Sequence, residues 1–134
     1  MSGADRGLLD TSVFIAREGG RPLDVDKLPA ELAISVVTLG ELHAGVLGAR
    51  DTDIRARRLA TLGTGLELLA LPIDQAVALQ WARLRVLLSE ESRRVNVNDS
   101  WIAATALVHG VSVVTQDADF DLFADVAGLQ VVRV

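Results

Sequence analysis

Five short apolar runs divide this chain: "GLLD" at 7–10, "AISV" at 33–36, "LELLAL" at 66–71, "GVSVVT" at 110–115 and "LQVVRV" at 129–134. Runs of this length, rich in Val, Ile and Leu and bounded by polar or turn residues, read as buried strands. Between them lie segments with a helical period. "TSVFIAREGG" is a short helix stopped by Gly19 and Gly20, and "RPLDVDKLP" is a loop or short helix. "TLGELHAGVLGAR" places Leu39, Leu42, Val46 and Leu47 at helical spacing, with Gly40 and Gly45 leaving room for close backbone approach. An arginine-rich helix runs from Asp51 to about Leu62 and ends at "GTG". Asp74 then caps a long helix in which Val77, Trp81, Leu84 and Leu88 form one stripe. "VNVNDSWIAATALVHG" at 95–110 supplies another helix, and "DFDLFAD" a short one. Strand alternating with helix predicts an α/β fold of three layers: a mainly parallel central sheet of about five strands with helices on both faces.

At 134 residues the expectation is one domain spanning 1–134. There is no cysteine and there are two histidines, so thiolate metal sites are ruled out and any metal must be held by oxygen ligands, which favours hard cations. No leader, lipidation motif or long apolar run is present, and the apolar stretch from Gly7 to Ala16 is broken by Asp10, so the expected compartment is the cytoplasm, with no membrane partner. A net charge of -5 argues against an indiscriminate nucleic-acid coat and leaves room for an enzyme that holds RNA locally. Of the 13 basic residues all but Lys27 are arginine, gathered at Arg50, Arg55, Arg57 and Arg58, at Arg83 and Arg85, and at Arg93 and Arg94. These form either a solvated face or phosphate contacts.

In a parallel sheet, ligands gather at the carboxyl ends of the strands. Four acids fall there. Asp10 directly follows "GLL" and Asp117 follows "SVVTQ"; Glu41 lies in the first turn of the helix after the second strand, and Asp99 opens the helix before the fourth. Each also has a plain structural reading. Thr38 to Glu41 spells a capping box, Asp99 beside Asn98 suits a cap or a first-turn acid, and Asp10 and Asp117 suit turns or caps. Recurrence at the same end of successive elements favours a shared pocket. Carboxylates packed together repel, and Mg²⁺ or Mn²⁺ relieves this where no basic residue is near. A cation there suits hydrolysis of a phosphodiester by an oriented water.

The stretches "LLDTSVFI", "VTLGELHAGV" and "NDSWIAATALVHGVSVVTQDADF" resemble the motifs of PIN-domain nucleases, in particular the VapC-type toxins of bacterial toxin–antitoxin pairs. The resemblance runs from about Gly7 to the end and leaves Asp51 to Arg94 without a motif. It implies a PIN fold, a Mg²⁺- or Mn²⁺-dependent endoribonuclease acting on RNA, a VapB-type antitoxin that occupies the groove and acidic pocket, and a homodimer. It also implies catalytic and metal-binding carboxylates at Asp10, Glu41, Asp99 and Asp117, with Asp119 in reserve for the last. Ser12, Thr115 and Asn98 are candidates for support, with a cap as the other reading for Asn98. His43 and His109 lie beyond the first turn of their helices and make poor acid–base catalysts; Trp81 reads as core and Trp101 as core or contact surface.

Two readings compete. A receiver-like or phosphatase-like phosphotransfer domain also binds Mg²⁺ near strand ends, but Ser12 stands where a phosphatase needs a second Asp, and the sole lysine is too early for a receiver. A catalytically silent module with an acidic binding pocket is the other.

Overall fold

The structure, a computed structural model, describes residues 5–91 and 93–134. Its strands are β1 (Arg6–Leu9), β2 (Glu31–Ser35), β3 (Leu69–Leu71), β4 (Ser112–Thr115) and β5 (Val131–Arg133), in the sheet order β3-β2-β1-β4-β5. Every pairing is parallel, so all the carboxyl ends lie along one edge. The helices are α1 (Thr11–Glu18), α2 (Val36–Gly48), α3 (Thr52–Leu66), α4 (Gln75–Glu90), α5 (Val97–His109) and α6 (Asp121–Ala127). Single 3-10 turns occupy Val25–Lys27, within the turn-rich "RPLDVDKLP", and Ala118–Phe120.

Neighbouring residues of each central strand feed different cores, because successive side chains point to opposite faces of a sheet. Leu8 and Val113 join Val77, Leu84, Ile102 and Phe123 on the side of α4, α5 and α6. Leu9 and Val114 join Phe14, Ile34, Leu42 and Leu62 on the side of α1, α2 and α3. Leu8, Ile34, Leu84, Ile102 and Val113 are fully buried. Each such side chain stabilises the fold by about 1.5–3 kcal/mol relative to exposure, which is what holds the sheet rigid between its two helical layers.

Most boundaries shift by a few residues from the sequence reading, and two of the shifts have a clear cause in packing or capping. The helix α3 does not stop at "GTG" but continues through it to Leu66, leaving β3 only three residues. Gly65 is the reason. A Cβ there would sit 3.1 Å from Leu42 Cδ1 and 3.2 Å from Ile34 Cδ1, so this glycine is an approach point between α3, α2 and β2 rather than a terminator. The close approach expected of Gly40 and Gly45 is made here instead: Gly40 faces open space and Gly45 meets only the Arg58 side chain at 3.7 Å. Second, β2 begins at Glu31 and yields to α2 at Val36, because Ser35 serves as N-cap, its hydroxyl accepting from the Thr38 amide at 3.1 Å.

The seam between β1 and β4 carries the tightest packing. A Cβ on Gly7 would stand 2.6 Å from Val114 Cγ2 and 2.8 Å from Pro29 Cγ, and Val114 is a fully buried, stiff β-branched side chain. Gly7→Ala is therefore expected to destabilise the protein by about 1–3 kcal/mol, read as a lower urea midpoint with unchanged slope. A midpoint at or above that of the wild type would show that the seam has slack.

Candidate metal centre

The chain leaves β1 toward β2 on one side, while β4 pairs with β1 on the other. Such a reversal of strand order opens a crevice at the carboxyl ends. Asp10, the residue after β1, is buried with 4% exposure. It is both cap and pocket residue: its Oδ2 accepts from the Ser12 amide at 3.4 Å, the N-cap bond of α1, and from the Thr115 hydroxyl at 3.0 Å, across the seam to β4. Ser12 Oγ lies 3.1 Å from Thr115 Oγ1. Because the Thr115 hydrogen goes to Asp10, the Ser12 hydroxyl must donate to Thr115. The backbone amides of Gln116 and Asp117 complete the set, donating to Ser12 Oγ at 3.0 Å and Thr115 Oγ1 at 3.1 Å. Burial pushes the Asp10 carboxyl above its ordinary range, and the bonds from Ser12 and Thr115 oppose that rise.

Glu41 lies in the second turn of α2 rather than the first, because the helix starts earlier, at Val36, and it takes no part in a capping box, since Ser35 is the cap. Its Oε1 accepts from the Thr11 hydroxyl at 2.7 Å, and Thr11 also lies 3.2 Å from Thr38 Oγ1. Thr11 is a residue the sequence reading missed. The signal was there: "LLDTS" places two hydroxyls straight after a strand-end aspartate, and only Ser12 drew notice.

Asp99 stands in the first turn of α5 but is not its cap. Asn96 is, its Oδ1 accepting from the amides of Asn98 at 2.9 Å and Asp99 at 3.3 Å. The capping role considered for Asn98 thus belongs to Asn96, two residues earlier, and Asn98 is exposed. With the cap already filled, the Asp99 carboxylate is free for other work. Its pKa is pushed up to about 7, first by desolvation and then by the negative charges of Asp10, Asp119, Glu41 and Asp117, in that order. The fold thus brings all four acids and the reserve within electrostatic reach of one another. Asp119 acts on Asp99 more strongly than Asp117 does, and shares with Asp99 the wall of a cleft of about 360 Å³.

None of these five carboxylates is in an ion pair among the described residues; the three pairs present are Lys27 with Asp24, Arg93 with Asp125 and Arg133 with Asp121. Nor do any three acidic or histidine side chains among the described residues form a ready-made cage for a metal ion. An open field of uncompensated oxygen ligands fits a cation such as Mg²⁺, which keeps several of its waters and takes few carboxylates directly. The histidines lie elsewhere. His43 is exposed, and His109 ends α5, about 15 Å along the helix from Asp99 at 1.5 Å per residue. Trp81 and Trp101 stack on each other, with centroids 4.4 Å apart, and Trp81 Nε1 donates to Ser100 Oγ at 2.9 Å, bracing the turn that carries Asp99.

Known proteins resemble this chain in sequence and in fold. The family model described as PIN domain matches residues 7–127. Ribonuclease VapC5 of Mycobacterium tuberculosis is 52% identical over 128 residues, covering 96% of this chain and 95% of that protein. Ribonuclease VapC4 of the same organism is 48% identical over 122 residues, covering 90% and 93%. Among solved structures, VapBC-5 of M. tuberculosis, a member of the VapBC family of toxin-antitoxin systems, matches with a TM-score of 0.89 at 48% identity over 97% of this chain and 99% of that one. FitAcB of Neisseria gonorrhoeae matches with a TM-score of 0.73 at 28% identity, covering 93% and 95%.

The raised Asp99 pKa sets a pH dependence. Folded, Asp99 keeps its proton to about pH 7; unfolded, it loses it near its ordinary value of 3.8. Between these limits the folded state binds more protons, so stability falls as pH rises, the reverse of a salt-bridged aspartate. In EDTA, the melting temperature should decline from about pH 4 to about pH 7, and the decline should be shallower in Asp99→Asn. A wild-type melting temperature that rises over this range would mean that the carboxylates do not feel one another.

Proposed function

This chain belongs to the PIN-domain family, and from that premise we propose that it is a divalent-metal-dependent endoribonuclease, the toxin of a toxin–antitoxin pair. The observation that carries the reading is Asp99, in reach of four other carboxylates with no basic residue paired to any of them. Identities of 52% and 48% to proteins named ribonucleases, over nearly the whole of each chain, support the activity. The match to the VapBC-5 structure supports a VapB-type antitoxin as partner, and a homodimer is the proposed assembly. RNA is the substrate, and the cytoplasm, where it would meet cellular RNA, is the proposed compartment.

Asp10 and Asp99 are proposed as the direct metal ligands, with Glu41 and a carboxylate from the Asp117–Asp119 turn completing the acidic shell. Mg²⁺ is the proposed ion, with Mn²⁺ able to replace it. When bound, such an ion offsets the charge that builds on the phosphate and leaving oxygen and makes a water more acidic. The chain's own contribution is to hold the ligands still. Thr115, held by the Ser12 hydroxyl and the Asp117 backbone amide, fixes the rotamer of Asp10; Thr11 fixes Glu41; the Asn96 cap orients the first turn of α5. Positions set by hydrogen bonds on rigid elements are what a site of this kind requires. The carboxylates that are not direct ligands, Glu41 and the one from the Asp117–Asp119 turn, can accept the proton of an attacking water.

The decisive experiment is cleavage of a mixed RNA pool by the purified, antitoxin-free chain and by Asp99→Asn, each with Mg²⁺, Mn²⁺ or EDTA. Cleavage should require metal and fall at least about a hundredfold in the variant, since even indirect supports of metal sites are worth 10–100-fold. The variant should still fold, because Asn96 rather than Asp99 caps α5. Cleavage that persists in EDTA, or in Asp99→Asn at the wild-type rate, would sink the proposal; no cleavage under any condition would leave an acidic binding module.

A further inference from the structure

The arginine clusters have not yet been assigned a role, and the fold sorts them. Arg55 donates to the carbonyl of Ala49 at 2.7 Å and Arg58 to that of Gly45 at 2.8 Å, so both tie α3 to the end of α2. Arg133 Nη2 reaches both carboxylate oxygens of Asp121, at 3.0 and 2.9 Å. Arg93 faces Asp125 at 3.6 Å with both side chains exposed, a pair of little energetic weight. Two arginines in the same region remain uncommitted. Among the described residues Arg94 enters no ion pair, and Arg85 lies over the Trp81 ring with its guanidinium carbon 5.3 Å from the centroid. Such stacking holds the planar group in place while its edge can still donate.

These two line a continuous path to the acids. The cleft of about 360 Å³ that contains Asp99 and Asp119 also contains Arg93 and Arg94. An adjoining cleft of about 320 Å³ is lined by the same two arginines and by Arg85 and Ser89. A polyanion meeting this chain is repelled by the net charge of -5 and by the acidic pocket itself, so cations beside the pocket are needed to hold it. Guanidinium groups suit phosphate because their paired N–H donors match two phosphate oxygens.

We propose that Arg94, assisted by Arg85, grips backbone phosphates of single-stranded RNA adjacent to the one being cut, so that the substrate strand lies along this cleft. The assignment rests on the ribonuclease reading and adds the direction from which the strand reaches the acids. Arg93 contributes less, being shared with Asp125. Because backbone phosphates are the contacts, this grip is independent of base sequence.

The test uses the Asp99→Asn protein, which leaves the probe intact, and a fluorescent single-stranded RNA of mixed sequence titrated at several KCl concentrations. Adding Arg94→Ala should weaken binding about tenfold, the loss of one charge-assisted hydrogen bond, and flatten the slope of log K against log salt by about 0.7. Arg85→Ala should flatten it similarly, Arg94→Lys should keep the slope, and Lys27→Ala, before β2 at the far edge of the sheet, should change neither quantity. In the Asp99-containing protein, Arg94→Ala should raise KM with little change in kcat. An unaltered salt slope in a folded Arg94→Ala protein, or a flattened slope that Arg94→Lys does not restore, overturns this proposal while wild-type cleavage leaves the ribonuclease reading standing. RNA that is neither bound nor cut by any form overturns both.

Discussion

Mutual repulsion among the carboxylates at the carboxyl edge of the sheet governs much of this molecule. Asp99 feels Asp10, Asp119, Glu41 and Asp117, and no arginine or lysine pairs with any of them among the described residues. Left to itself such a set would spread apart or take up protons. It is held together by structure remote from it. The two apolar cores lock β1 and β4 side by side, and the strain is borne at the ends of those strands, a common location for functional residues that reduce stability.

The hydroxyls are the means by which rigidity reaches the acids. Thr115 is fully buried and uses its one hydrogen on Asp10 while accepting from Ser12 and the Asp117 amide. Thr11 does the same service for Glu41. Side chains of this type bond equally well to backbone, so their value here lies in direction: each donates toward a carboxylate, and at Asp10 this favours the ionised form. That opposes desolvation at Asp10. At Asp99, which takes no such bond from a hydroxyl among the described residues, desolvation and like charge prevail. Both acids thus hold their protons more tightly than free aspartates, and a cation held by both would oppose that rise.

Charge of the other sign is placed with equal economy. Arg55, Arg58 and Arg133 serve the fold, while Arg85 and Arg94 face clefts that lead to the acids. The Trp81–Trp101 stack links the two features, supporting Arg85 on one side and, through Ser100, the turn of Asp99 on the other. A residue that reads from its spacing as plain core thus braces both the cationic and the anionic parts of the cleft.

Much of this was legible in the chain before folding. Period and length marked the strands, and Asp74 caps its helix as the sequence suggests, because these are local signals; Asp51, read as the first residue of its helix, is the N-cap of α3. The positions of Asp10, Glu41, Asp99 and Asp117 at strand ends and helix starts were equally visible, since alternation of strand and helix implies a parallel sheet. What the sequence could not decide was whether each acid was a cap, because that depends on which neighbour takes the backbone amides first. Ser35 and Asn96 took them, freeing Glu41 and Asp99, whereas Asp10 does both jobs. Gly65 looked like a stop and proved to be a contact, as the Leu42 and Ile34 side chains that approach it come from other elements. Local chemistry thus determined the elements and the candidate acids; long-range packing decided which donors each acid meets, how strongly the acids repel, and which arginines remain free, because these depend on distances between residues up to 105 positions apart.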